Sequence, residues 1–119
     1  MTTEELADRC GFVDLSEAPP REIRGAFSGD LLSWAMSRVR EGDAWFTVMG
    51  NINSIAVAAL SGCACIVLCH GIQPDADALD RAKKEGLVLL ATELPEYEAV
   101  TAFNRAMDME CKKSHAGLP

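Results

Sequence analysis

The chain has 119 residues, 49% of them hydrophobic and 24% charged, which fits one globular domain with a core of its own. Its net charge of −7, from 18 acidic against 11 basic residues, argues against nucleic acid or an anionic membrane surface as partner, since both need clustered Lys and Arg. Five cysteines without a signal-peptide pattern, and no apolar run near the ~18 residues of a membrane span, point to a cytoplasmic protein with reduced thiols.

Thr3-Glu4-Glu5 followed by Leu6, Ala7 and Cys10 reads as a short helix with acids in its first turn and Gly11 as its stop. Phe12 to Leu15 reads as a short strand. Pro19-Pro20 breaks the chain before Arg21 to Phe27, where the spacing of Ile23 and Phe27 fits an extended segment. A helix from Leu31 to Arg40 follows, capped by Asp30 or Ser28, with Leu31, Trp34, Ala35 and Val39 as its apolar face and Arg38, Arg40 and Glu41 in water. Gly42-Asp43 ends it.

The run Ala44 to Met49, aromatic and β-branched and closed by Gly50, predicts a buried strand. Asn51 to Ser54 supply acceptors for the free amides of a helix start, and the helix Ser54 to Leu60, which has no charged residue, should be covered on nearly all sides. Cys63 to Cys69 is a continuous apolar run, the pattern of a strand buried on both faces of a parallel sheet. His70 to Pro74 is its loop. Asp75 caps a helix from Ala76 to Glu85 with Leu79 and Ala82 inward, and Gly86 stops it. Leu87 to Ala91 is a third buried strand, Thr92 to Pro95 its loop, and Pro95 opens a helix from Glu96 to about Glu110 whose apolar side holds Tyr97, Val100, Thr101 and Met107. This alternation predicts a single α/β domain over residues 1–110, with a small, mostly parallel sheet, helices on both faces, and a polar, frayed tail at 111–119.

Parallel strands would bring the loops after Met49, Cys69 and Ala91 to one rim, where α/β proteins hold ligands. Gly50, Asn51, Asn53, His70, Gly71, Thr92 and Glu93 are therefore the candidate ligand-binding residues, with Ser28, Gly29 and Asp30 as a second group. Glycine admits a ligand to the backbone, the asparagines both donate and accept, and Glu93 suits a ribose hydroxyl or base chemistry. Each also has a plainer reading: a capped strand-to-helix turn, a loop histidine, a solvated acid, a helix start. Neither a Gly-x-x-x-x-Gly-Lys-Ser/Thr loop nor a Gly-x-Gly-x-x-Gly fingerprint occurs, so a P-loop hydrolase and a dinucleotide dehydrogenase are unsupported. Cys63, Cys65 and Cys69 alternate onto one face of a strand with His70 opposite, which favours core packing over metal or redox use.

The chain resembles the DRTGG-domain family from Leu6 to about Met107. The resemblance rests on Gly29-Asp30-Leu31-Leu32-Ser33 with Ala35-Met36, on Gly42-Asp43-Ala44-Trp45 with Thr47, on Asn51 and Asn53 with Ala56-Val57-Ala58, and on Gly71 with Pro74-Asp75. It continues through Ala82, Glu85-Gly86, Leu90, Thr92 and Tyr97-Glu98. It implies a fold similar to the N-terminal domain of the kinase/phosphorylase that acts on HPr. It also implies a role like that of the domains set beside CBS nucleotide-sensing modules in regulated pyrophosphatases, or within phosphate acetyltransferase-like proteins. Where the family's Asp-Arg-Thr-Gly-Gly motif would fall, this chain has Gly50-Asn51-Ile52-Asn53-Ser54, so no role of that acid and arginine carries over.

The expectation is a non-enzymatic cytoplasmic regulatory domain, a homodimer that binds an adenine nucleotide or another small anion at the carboxyl rim and acts on a regulated enzyme. No metal or resident cofactor is expected. The alternatives are a ligand-free interaction module and a small kinase-related enzyme using His70 and Glu93 as acid and base.

Overall fold

The computed structural model describes the backbone of residues 1–116 and the side chains of residues 1–111. Its elements run α1 (Thr3–Cys10), β1 (Val13–Asp14), β2 (Gly25–Ser28), α2 (Leu32–Arg38), β3 (Asp43–Thr47), α3 (Ile52–Ser61), β4 (Cys65–Leu68), α4 (Ala76–Glu85), β5 (Val88–Ala91) and α5 (Glu96–Ala116). The sheet order is β1-β5-β4-β3-β2, with β2 to β5 parallel and β1 antiparallel on β5. Every residue of β3, β4 and β5 is buried, as strands covered by helices on both faces must be.

Side-chain alternation divides the core in two. Ala44 and Phe46 of β3, Cys65 and Val67 of β4, and Val88 and Leu90 of β5 face α1 and α5 together with Leu6 and Phe103. There the ring of Phe46 meets Phe12 and Phe103 edge-on, at centroid distances of 6.5 and 5.4 Å. Trp45, Ile66, Leu68 and Leu89 point the other way, onto Ala35, Ile55, Val57, Ala78 and Ala82 of α2, α3 and α4.

Several local expectations give way. The N-cap of α2 is Leu31, which has no side-chain oxygen, because Asp30 turns toward β3 instead; Leu31 and Trp34 are 54% and 55% exposed, leaving Ala35 and Val39 as the buried face. With Asn51 as its cap, α3 begins at Ile52, two residues before the expected Ser54, and one side of that helix is open, with Leu60 88% exposed. Asp75 stands at the N-cap of α4 without a side-chain hydrogen bond. Helix α5 buries Ala99, Phe103 and Ala106 while Tyr97 is 82% exposed, and it continues past Glu110 to Ala116. Residues 117–119 of the expected tail lie outside the described residues. Cys63 precedes β4 and so escapes its alternation: it packs beside Trp45, whereas Cys65 and Cys69 pack on the α1/α5 side. The capping box of α1 uses Thr2, whose hydroxyl accepts from Glu5 N while the Glu5 carboxylate accepts from Thr2 N.

Candidate functional site at the carboxyl rim of the sheet

Because β2 to β5 are parallel, the loops after all four open on one rim, and short hydrogen bonds tie them together. Asp75 N donates to Gly50 O at 2.9 Å, joining the β3–α3 and β4–α4 loops. His70 N donates to Leu94 O at 2.8 Å and Gly71 N to Thr92 O at 3.0 Å, joining the β4–α4 and β5–α5 loops. The backbone amides of His70 and Gly71 are thus committed. At α3 the Asn51 Oδ1 accepts from Asn53 N at 3.0 Å and from Ser54 N at 3.2 Å, so that oxygen is committed to the helix start. The structure therefore brings His70, Gly71, Thr92 and Glu93 into one patch. Gly50 sits beside it against Gln73 and Pro74, and Asn53 is exposed on α3.

Ser28, Gly29 and Asp30 meet this patch through a residue that the sequence did not single out, Glu96. The Asp30 Oδ1 accepts from Thr47 Oγ1 and from Val48 N, each at 2.8 Å, and Trp45 Nε1 donates to Gly29 O at 3.1 Å. Ser28 Oγ donates to Glu96 Oε1 at 3.2 Å, and Glu96 N donates to the His70 Nε2 at 3.2 Å. That ring nitrogen, held by a backbone with φ +60°, caps the start of α5. The carboxyl groups of Asp30 and Glu96 are neighbours, each shifting the other's titration. Partial burial works to raise the Asp30 carboxyl, but the bonds from Val48 and Thr47, with Glu96 and His70, outweigh it and hold it below its ordinary value. Partial burial and the facing Asp30 push Glu96 up. A glutamate following a proline at a helix start was the available sequence signal; only the meeting of β2 with α5 gives it meaning.

A cavity of about 510 Å3 opens on the β5 side of the rim, lined by Val13, Leu15, Gly71, Gln73, Thr92 and Glu93 among others. Gly71 has φ +70°, a left-handed conformation that favours glycine, and the end of the Glu93 side chain lies where a Cβ would stand and would have to shift to admit one. The lining holds one carboxylate and no Lys, Arg or His. Among the described residues no group of three or more His, Cys, Asp or Glu side chains is placed to hold a metal ion. Burial pushes the Cys63 and Cys69 thiols up to about 12, with Glu96 and Asp30 adding to the effect at Cys69, so neither offers a thiolate at neutral pH. No helix among the described residues is long and apolar enough to cross a membrane.

Parallel strands, crossover helices and a cross-bonded loop rim define a small α/β domain. The chain belongs to the DRTGG-domain family, whose profile, described as "DRTGG domain", matches residues 28–106. A solved structure with the same fold is that of the CBS and DRTGG domains of the regulatory region of Clostridium perfringens pyrophosphatase, complexed with the activator diadenosine tetraphosphate. The two superpose with a TM-score of 0.67 at 12% identity, over 87% of this chain and 46% of that one. This chain thus spans about half the length of that regulatory region. The search of curated proteins finds no match.

Proposed function

We propose that this chain is a ligand-sensing regulatory module without a catalytic centre of its own, and that its ligand is a nucleotide held at the carboxyl rim. The observation that carries this reading is the rim itself, where loops from four parallel strands are bonded into one frame beside an open cavity. Membership in the DRTGG family, and the fold shared with a regulatory region crystallised with a dinucleotide activator, support the regulatory part. The charge of the lining refines the ligand. With Glu93 present and no cation, the cavity suits the sugar and base of an adenine nucleotide better than a bare phosphate. In this reading the module works in the cytoplasm as a homodimer and relays the ligand to a regulated enzyme.

The rival acid–base pair of His70 and Glu93 is weakened by geometry, because the His70 Nε2 is occupied by Glu96 N. Thermal shift with AMP, ADP, ATP, diadenosine tetraphosphate and inorganic phosphate tests the proposal. A nucleotide at ~100 times its dissociation constant should add about 2.7 kcal/mol and raise the midpoint, phosphate alone should not, and Glu93→Gln should reduce the shift. A midpoint that no nucleotide moves overturns it. Light scattering decides the homodimer.

A further inference from the structure

Strand β2 closes the sheet on one side and carries no strand on its outer edge among the described residues. Gly29 N bonds inward to Phe46 O at 3.1 Å, so by alternation Phe27 and Gly25 also bond to β3, and Ala26 and Ser28 turn their backbone groups outward. Open edges of this kind accept another chain unless they are short, charged or covered. Alongside lies a groove between β2 and α2, formed by two cavities of about 640 and 370 Å3 that share Phe27 and Arg38. Trp34 walls its far end, with Arg38 stacked over the indole at 4.1 Å from the ring centroid.

The larger cavity of this groove carries charge opposite to that of the chain. A molecule with net charge −7 places Arg24, Arg38 and Arg40 along it, and none of the three forms an ion pair among the described residues. Of the two acids in that larger cavity, Asp43 is buried and its Oδ2 accepts from Arg40 N at 2.8 Å, so Glu41 alone offsets the arginines there in solvent; the smaller cavity adds Asp30, whose Oδ1 already accepts from Thr47 Oγ1 and Val48 N. We propose that the β2 edge and its arginine-lined groove dock an extended acidic segment of a partner protein, which adds a strand to the sheet and sets its carboxylates against Arg24, Arg38 and Arg40. Strand addition supplies the backbone bonds, and the alternate side chains of the incoming strand reach the groove. A second copy fits less well. Two-fold pairing of β2 with itself would bring both sets of arginines face to face.

Fluorescence anisotropy with a labelled peptide of alternating valine and glutamate tests this on the full chain. The peptide should bind, its lysine counterpart should not, and N-methylation at alternate residues should abolish binding because it removes the strand's donors. Binding should weaken steeply with added salt, as the Debye length shrinks from about 10 Å at 0.1 M to about 3 Å at 1 M. Arg38→Glu should weaken it by about tenfold or more, with Arg40→Gln as the milder second variant should the first disturb α2. Equal binding of the acidic and basic peptides overturns the proposal, as does binding that survives N-methylation. Nuclear Overhauser contacts between the Gly25–Ser28 segments of two copies would assign the edge to self-pairing and overturn it too.

Discussion

The two flanks of the sheet are finished to different degrees. On the β4–β5 flank the loops bond to one another, the His70 ring caps α5, and Glu93 crosses over the left-handed Gly71. On the β2 flank Asp30 and Trp45 pin the loop from beneath, but the strand edge is open and Leu31, Trp34 and Met36 stand in solvent. Polar groups that satisfy each other make a frame that holds its shape without a ligand. Unpaired backbone and apolar side chains make a surface that gains from being covered. On the two proposals above, the difference separates a site for a small molecule from a site for a chain.

The sharpest way to break that contrast uses its two tryptophans. Trp45 is fully buried and donates to Gly29 O, so Trp45→Ala should destabilise the domain by about 3–5 kcal/mol through the cavity and the lost anchor of the β2–α2 loop. Trp34→Ala, on the solvent side of α2, should stay within about 0.5 kcal/mol. Chemical denaturation compares them directly. Similar losses at both sites would mean that the β2 flank is part of the core.

A narrower cut falls on Asp30. Its Oδ1 satisfies both the buried Thr47 hydroxyl and Val48 N, so Asp30→Ala should lose about 1–3 kcal/mol, while Asp30→Asn, which keeps an acceptor, should lose less. Two equal losses would point to charge in place of the hydrogen bonds.

What the sequence showed and hid follows from the range of each interaction. The three inner strands, the glycine stops at Gly11 and Gly86 and the mostly parallel sheet were legible because they are written in local periodicity and turn chemistry. The roles of Asp30 and Glu96 were not. Asp30 looks like a helix cap to its neighbours in sequence, and only the approach of β3 redirects it. Leu31 and Trp34 looked inward because their spacing is helical, yet α2 has seven residues and turns only Ala35 fully onto the sheet. The exposure of Tyr97 has the same origin, since Ala99 and Phe103 take the buried side of α5. Side chains whose partners are distant strands cannot be assigned from their own segment.

The His70 cap gives a smaller effect with a distinctive ordering. His70→Ala should lose about 1 kcal/mol with the acceptor for Glu96 N, while keeping a β-carbon at φ +60°. His70→Gly loses the same acceptor but relieves the backbone, by about 1–2 kcal/mol in favourable cases, so it should be the more stable of the two. An alanine variant as stable as the glycine one would show that the loop relaxes away from the left-handed conformation.

The smallest effect, and the one that joins the two flanks, is the titration of the Asp30–Glu96 pair. The lowered native value of Asp30 contributes stability above its ordinary value of 3.8, and that contribution fades as pH falls through the native value. Glu96 has the opposite sign. Its raised native value favours the protonated carboxyl, so its contribution is complete below its ordinary value of 4.5 and is lost as pH rises through the native value. Melting midpoints followed from acid to neutral pH should therefore show a weak maximum near these values, then a shallow fall as Glu96 ionises opposite Asp30. Glu96→Gln keeps a neutral partner for Asp30 at every pH, so the difference between the two proteins should be flat in acid and open only above 4.5. Ser28 and His70, which pull Glu96 back toward its ordinary value, keep the effect small. A difference curve that is flat throughout would mean that the two carboxyls do not sense each other, and that the β2–α2 loop and α5 move independently.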